Sequence, residues 1–252
     1  MDTATSPGQP DTAIPWHQVI DRIDRVRRSL VWVVLVLLGG TALSWNFADR
    51  AFALLARPLT TALLAAERDP RLIFTSLTEP FVIYFSIALL GGFTLALPLL
   101  MGLTWRLIAP ISGGGGLLKA LGFAGASTIL FLLGLAFGYL VLLPFVVNYL
   151  LGVAIQFEYA LTIREYLKFT LRLLLAMGIA AQLPLISFTL ARLGLVTAHQ
   201  LLRWLPYSVL AAFVLAALIT PPDGVSQVLV AVPMLVLYLV GVAVAALARR
   251  RG

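Results

Sequence analysis

The chain contains no cysteine, so disulfides, thiolate metal sites and cysteine nucleophiles are excluded together, and no redox compartment can be read from it. Charge is scarce, at 12% of residues, and the histidines are His17 and His199 alone. Neither histidine lies in an apolar run, so no imidazole can act as general base beside Ser86, Ser127, Ser187 or Ser208 at membrane depth, which argues against a serine-type intramembrane protease. The apolar runs also lack paired aspartates, and no His/Glu spacing suits a zinc ion. The glycine run Gly113–Gly116 follows no strand pattern and precedes no Gly-Lys-Ser/Thr, so it is not a phosphate cradle. Nothing in the chain points to an enzyme, a bound cofactor, a metal or a nucleic-acid partner.

What is present is apolar. At 61% hydrophobic residues and a mean hydropathy of +1.00 the chain lies far from soluble domains, which hold about 45–50% apolar and about 25% charged residues. It reads as an integral membrane protein. The runs Leu30–Phe47, Phe81–Thr104, Leu121–Leu151, Phe169–Leu190, Leu205–Ile219 and Val225–Leu247 give six candidate helical crossings of a hydrocarbon core about 30 Å thick. The first run follows a polar stretch and precedes no cleavage pattern, so it is expected to be a retained span, and the chain is expected to be whole.

An even number of spans places both termini on one side. With the termini in the cytoplasm, 11 of the 18 basic residues fall inside and 7 outside, the asymmetry expected of cytoplasmic loops. The chain divides accordingly into a cytoplasmic segment 1–28, a six-span domain 29–248 and a cytoplasmic basic tail 249–252.

The fifth and sixth runs are joined by "LITPPDGVSQ". Pro221 and Pro222 cannot continue a helix, Asp223 can cap the next one, and Gly224 eases the turn, which predicts a tight extracytoplasmic hairpin. The fifth run is short for a crossing. Pro98, Pro144, Pro184 and Pro233 interrupt spans, a pattern shared by transporter sites and by plain kinked bundles. Gln182 is the one strongly polar side chain deep in a run, and no ionisable group lies near the midplane, which weakens the transporter reading.

Four segments, "LTEPFVIYFSIALLGGFTLALPLLMGLTWRLIAP", "FLLGLAFGYLVLLPFVVNYLL", "EYLKFTLRLLLAMGIAAQLPLISFTLARLGLV" and "TPPDGVSQVLVAVPMLVLY", resemble in order the spans and loops of TatC, the receptor of the twin-arginine protein translocase. The resemblance runs from about Asp21 to Leu247. It implies an all-α polytopic membrane protein whose six transmembrane helices form a concave, glove-like bundle in the inner (cytoplasmic) membrane. It also implies binding of twin-arginine signal peptides of folded precursors, recruitment of single-span TatA or TatB partners into an oligomeric complex, and use of the proton-motive force with no cofactor.

Site residues carry over unevenly. The family's His-Leu-x-Glu-Leu-Arg-x-Arg-Leu element matches "DRIDRVRRSL" loosely, placing Asp24 at the glutamate and Arg28 at the last arginine. A carboxylate can hold a guanidinium in bidentate fashion, the physical basis for an acidic receptor of two adjacent arginines. The competing reading of this stretch is an interfacial helix whose basic face meets anionic lipid. Trp105, Ile108, Ala109 and Pro110 match the family's Trp-x-Phe-Ile-Ala-Pro, with Arg106 between. Gly116 then stands at the second glutamate of the twin-arginine site and Leu117 at the base after it. The resemblance thus assigns signal-peptide binding to Asp24, Arg28, Trp105, Arg106 and Gly116, and contacts with partner helices to Gln182, Pro184, Pro222, Asp223 and Gln227.

Gln182 replaces a glutamate found in many relatives, and Leu239 replaces another in the sixth span. Gln182 is expected either to face the concavity and bond a polar group of an incoming helix or to bond a neighbouring span of the same chain. The departures leave two further readings open: a diverged assembly subunit that binds partner helices without signal peptides, and a small-solute transporter. "SGGGG" reads as a relaxed linker between two matching spans.

Overall fold

The computed structural model describes residues 16–67, 76–109, 116–153, 162–220 and 223–249, with side chains described throughout these except at 16–26, 28–30, 106–108 and 249. The helices are α1 (Trp16–Trp45), α2 (Ala48–Ala65), α3 (Glu79–Ile108), α4 (Leu117–Phe137), α5 (Leu143–Val153), α6 (Ile163–Ala180), α7 (Leu183–Arg192), α8 (Ala198–Arg203), α9 (Leu205–Ile219) and α10 (Gly224–Arg249). A π-helical turn, Gly138–Leu142, joins α4 to α5.

Four continuous stretches are long and apolar enough to cross a membrane: Glu79–Trp105, Leu117–Val153, Ile163–Arg192 and Gly224–Ala248. The apolar part of α1, Val31–Trp45, bends by 74° into α2. The expected short fifth crossing is α9, of 15 residues. Each apolar run read from the sequence therefore is mainly helical, the first ending in a turn at Asn46–Phe47 and the fourth divided between α6 and α7. Helix α1 is longer than its run, extending back to Trp16, so residue 28 falls inside a helix.

Helix α2 has no counterpart among the apolar runs. Its buried residues Leu55, Ala56, Leu59 and Leu63 recur at helical spacing while Arg50, Arg57 and Thr61 on its other side are exposed, an amphipathic pattern. It packs beside α5 and α3. Pro58 lies within it and cannot supply the N–H that Leu54 C=O would accept.

Proline shapes the other irregular points as well. The π-turn precedes Pro144, and in it Leu143 N–H donates to Gly138 C=O, five residues back. The break between α6 and α7 at Ala181–Gln182 precedes Pro184, which sits in the first turn of α7 where a missing N–H costs little. Glu79 and Pro80 open α3 in the same way, the carboxylate lying at the positive end of the helix.

The spans pack in sequence, each against the next. Helix α1 packs along α3, α3 on α4, α4 on α6, and α10 on both α7 and α9. The stretch Ile163–Arg192 is the most enclosed, 56% buried against 33% for each of the other three, which marks the middle of the row. There Leu167, Leu173 and Met177 of α6 are fully buried with Leu143 and Val146 of α5, Leu59 of α2 and Phe131 of α4.

Candidate functional site

Chain alternation brings the α3–α4 connection to the same end of the bundle as the start of α1. The close approach of α1 and α3 comes from small residues: a Cβ on Gly92 would overlap Thr41 Oγ1 and lie 2.8 Å from Thr41 Cα, and one on Gly91 would lie 2.6 Å from Ser44 Oγ. The helices run antiparallel, so the register that sets Thr41 against Gly92, carried along helices of equal rise, brings the backbone of Arg28 level with that of Trp105 and Asp24 level with Ala109. The side chains of Asp24, Arg28 and Arg106 lie outside the described residues.

Trp105 stacks on Phe123 of α4, with centroids 5.2 Å apart and planes inclined at 35°. Its indole N–H is buried and has no hydrogen-bond partner among the described residues. Gly116 is the N-cap of α4, at φ −66° and ψ 156°, and its carbonyl accepts from Lys119 N–H at 3.1 Å and Ala120 N–H at 3.3 Å. Those angles suit any residue, and a Cβ there would meet nothing within 4 Å. The position lacks a carboxylate for reasons of sequence; the backbone would accept one.

The second group divides. Ser127 Oγ of α4 donates to Gln182 Oε1 at 2.8 Å, and Gln182 Nε2 donates to Ser127 C=O at 2.9 Å. Both residues are buried. Of the two expectations for Gln182, the bond to a neighbouring span is the one found. Pro184 is buried two residues further on. Leu239, in place of a family glutamate, is exposed on α10.

At the α9–α10 hairpin Asp223 Oδ2 accepts from Ser226 N–H at 2.8 Å and Oδ1 accepts from the Ser226 hydroxyl, the capping role read from the sequence. Gln227 Nε2 donates to Phe213 C=O at 2.9 Å, tying α10 to α9. Asp223 and Gln227 thus serve the hairpin itself. Pro222 lies outside the described residues. No group of three acidic, histidine or cysteine residues able to hold a metal occurs among the described residues.

Three structural positions escaped sequence reasoning. Glu79 is 3% exposed although charged, and its only signal was its place before Pro80 at a helix start. Tyr139 and Tyr166 donate to the Leu54 and Leu55 carbonyls, each at 2.8 Å. The signal for them was Pro58.

Comparison with known proteins agrees with this geometry along nearly the whole chain. The family described as Sec-independent protein translocase protein (TatC) matches residues 21–233. The Sec-independent protein translocase protein TatC of Koribacter versatilis is 32% identical, covering 97% of this chain and 91% of that protein. That of Aquifex aeolicus is 32% identical over 92% of this chain and 95% of its own. A crystal structure of the twin-arginine translocase receptor TatC superposes with a TM-score of 0.80 at 31% identity, covering 90% of this chain and 98% of that one. The order of packed helices, the short α9 and its capped hairpin to α10 are those of a multi-pass membrane protein of the TatC family, to which this chain belongs.

Proposed function

We infer that this chain, as the TatC receptor subunit of a twin-arginine translocase, binds twin-arginine signal peptides at the end of the bundle where α1 meets the α3–α4 connection. It is a transport component and not an enzyme. The observation that carries the placement is the α1–α3 register, which brings Asp24 to the level of Ala109, next to Trp105 and on the same end as Gly116. Asp24 supplies the carboxylate for a guanidinium. The Trp105 indole N–H, buried without a partner among the described residues, supplies a donor for a peptide carbonyl. Arg28 and Arg106 are the further residues that the family resemblance assigns to this site, and Gly116 occupies the sequence position where relatives offer a second acid.

The termini face the cytoplasm, and the protein lies in the inner membrane with α2 and the α9–α10 hairpin outside, an orientation supported by the distribution of basic residues. Single-span TatA/TatB-like helices dock along the row in an oligomeric complex with surrounding lipid. Because Gln182, Asp223 and Gln227 are engaged within the chain, such helices are held chiefly by packing against exposed apolar side chains of α9 and α10. The lost acid at Gly116 favours one second reading, an assembly subunit that keeps partner helices without reading signals.

Photo-crosslinking from residues 24 and 114 to a twin-arginine precursor separates the two. Adducts that vanish when the arginines become lysines support the receptor, and their absence with intact partner recovery supports the assembly subunit. Single cysteines in this cysteine-free chain test orientation. Positions 8, 114 and 252 should label from the cytoplasm and 68, 156 and 224 from the far side.

A further inference from the structure

Between α2 and the π-turn with α5 lies an open cleft of about 390 Å³. It lies where Pro58 of α2 stands against the π-turn and Pro144 of the α4–α5 helix. Its lining is apolar at Pro58, Leu140 and Pro144 and polar at Arg57, Thr61 and Asn148, with Arg57, Thr61, Leu140 and Asn148 exposed at its mouth.

The donors and acceptors at the mouth are unevenly used. Arg57 and Asn148 are exposed, and no ion pair or side-chain hydrogen bond engages either among the described residues. The Thr61 hydroxyl spends its proton on Arg57 C=O at 2.8 Å, and the Tyr139 hydroxyl spends its own on Leu54 C=O. Each of those oxygens keeps acceptor capacity. No acidic residue lines the cleft. Its recognition chemistry is therefore a full positive charge with an amide donor, two hydroxyl acceptors beside them, and an apolar wall behind.

Depth fixes what reaches it. The stretch Leu117–Val153 has 37 residues, about 55 Å of helix against a hydrocarbon core of about 30 Å, so its ends stand in the headgroup layers. An unpaired guanidinium is too costly within hydrocarbon, which sets Arg57 at headgroup level with Leu140 and Pro144 turned toward the acyl region.

We propose that this cleft is a binding site for one anionic glycerophospholipid of the phosphatidylglycerol type, drawn from the leaflet on the α2 side. Arg57 and Asn148 hold the phosphodiester, the headgroup hydroxyls donate to Thr61 and Tyr139, and the first acyl carbons rest on Leu140 and Pro144. A choline headgroup brings a cation that finds no carboxylate here and no hydroxyl to donate.

The test is native mass spectrometry of the detergent-purified protein titrated with dioleoylphosphatidylglycerol or dioleoylphosphatidylcholine. The first phosphatidylglycerol should bind about fivefold more tightly than the first phosphatidylcholine, the preference expected of one interfacial cation. Arg57→Gln should abolish that preference and Asn148→Ala should reduce it, while Arg172→Gln, at another exposed cation, should keep it. Leu140→Trp enlarges an apolar lining residue without touching the charge and should weaken both lipids. The proposal is overturned if the wild type shows no preference, if Arg57→Gln retains it, or if added lipid yields dimers of the chain in place of lipid adducts.

Discussion

The Tyr139 hydroxyl donates to the Leu54 carbonyl at 2.8 Å, and Leu54 is the residue whose helical donor Pro58 removes. A tyrosine from the π-turn thus replaces a missing backbone N–H in another helix. Tyr166 of α6 makes the neighbouring bond to Leu55 C=O, so α2 is fastened to two spans through the carbonyls beside its proline. Tyr139→Phe should cost about 1 kcal/mol in thermal or denaturant unfolding in detergent. Pro58→Ala restores the N–H, and in that background Tyr139→Phe should cost measurably less. Equal costs in the two backgrounds would show that the tyrosine acts through packing alone.

A second coupling joins Ser127 and Gln182. With both groups buried and bonded to each other, Ser127→Ala or Gln182→Leu alone leaves a polar atom without its partner, whereas the double change removes both. A double-mutant cycle should give a coupling of about 0.6–1.7 kcal/mol, the range of such bonds between membrane helices. Since the amide is already engaged, Gln182→Leu should leave co-purification of a TatA-like partner unchanged. Loss of the partner without loss of folding would show that the amide is shared with the incoming helix.

The α1–α3 seam should be the least tolerant packing surface. Gly92→Ala drives a methyl into Thr41, backbone included, and neither helix can yield without moving the start of α1. Destabilisation of about 1–3 kcal/mol is expected, together with loss of precursor crosslinks from position 24. Gly39→Ala, two residues before Thr41 with nothing within 4 Å of its new methyl, should leave both readouts intact.

These relationships show what was legible in the sequence. Apolar runs located the crossings because lipid leaves a backbone no alternative to the helix. The hairpin at Asp223 was legible because its capping is local, needing only Ser226 three residues on. Helix α2 was hidden because it is half polar and carries a proline, and its stability comes from residues 85 and 111 positions away, Tyr139 and Tyr166. The partner of Gln182 was undecidable for the same reason: a buried amide requires a bond, and sequence alone does not say which helix stands beside it. The resemblance suggested the residues of the proposed signal-peptide site, and the structure adds the α1–α3 register that sets Asp24 level with Ala109.

The glycine at 116 offers the most direct test of signal reading. It holds the N-cap of α4 in an extended conformation open to any side chain, it is exposed, and a Cβ there meets nothing. A glutamate can therefore be introduced without strain, next to the positive end of α4, which favours an anion. An ion pair to arginine contributes about 1.5–3 kcal/mol where a neutral carbonyl gives nearer 1, so Gly116→Glu should tighten binding of a twin-arginine signal peptide by on the order of tenfold. The gain should disappear when the two arginines are replaced by lysine, which lacks the bidentate fork. It should also shrink at high salt, because an exposed pair is screened. Asp24→Ala should weaken binding in both the parent and the Gly116→Glu protein, as expected if two carboxylates share one peptide. If Gly116→Glu and Asp24→Ala both leave peptide binding unchanged, this end of the bundle does not read twin arginines, and the assembly-subunit reading takes its place.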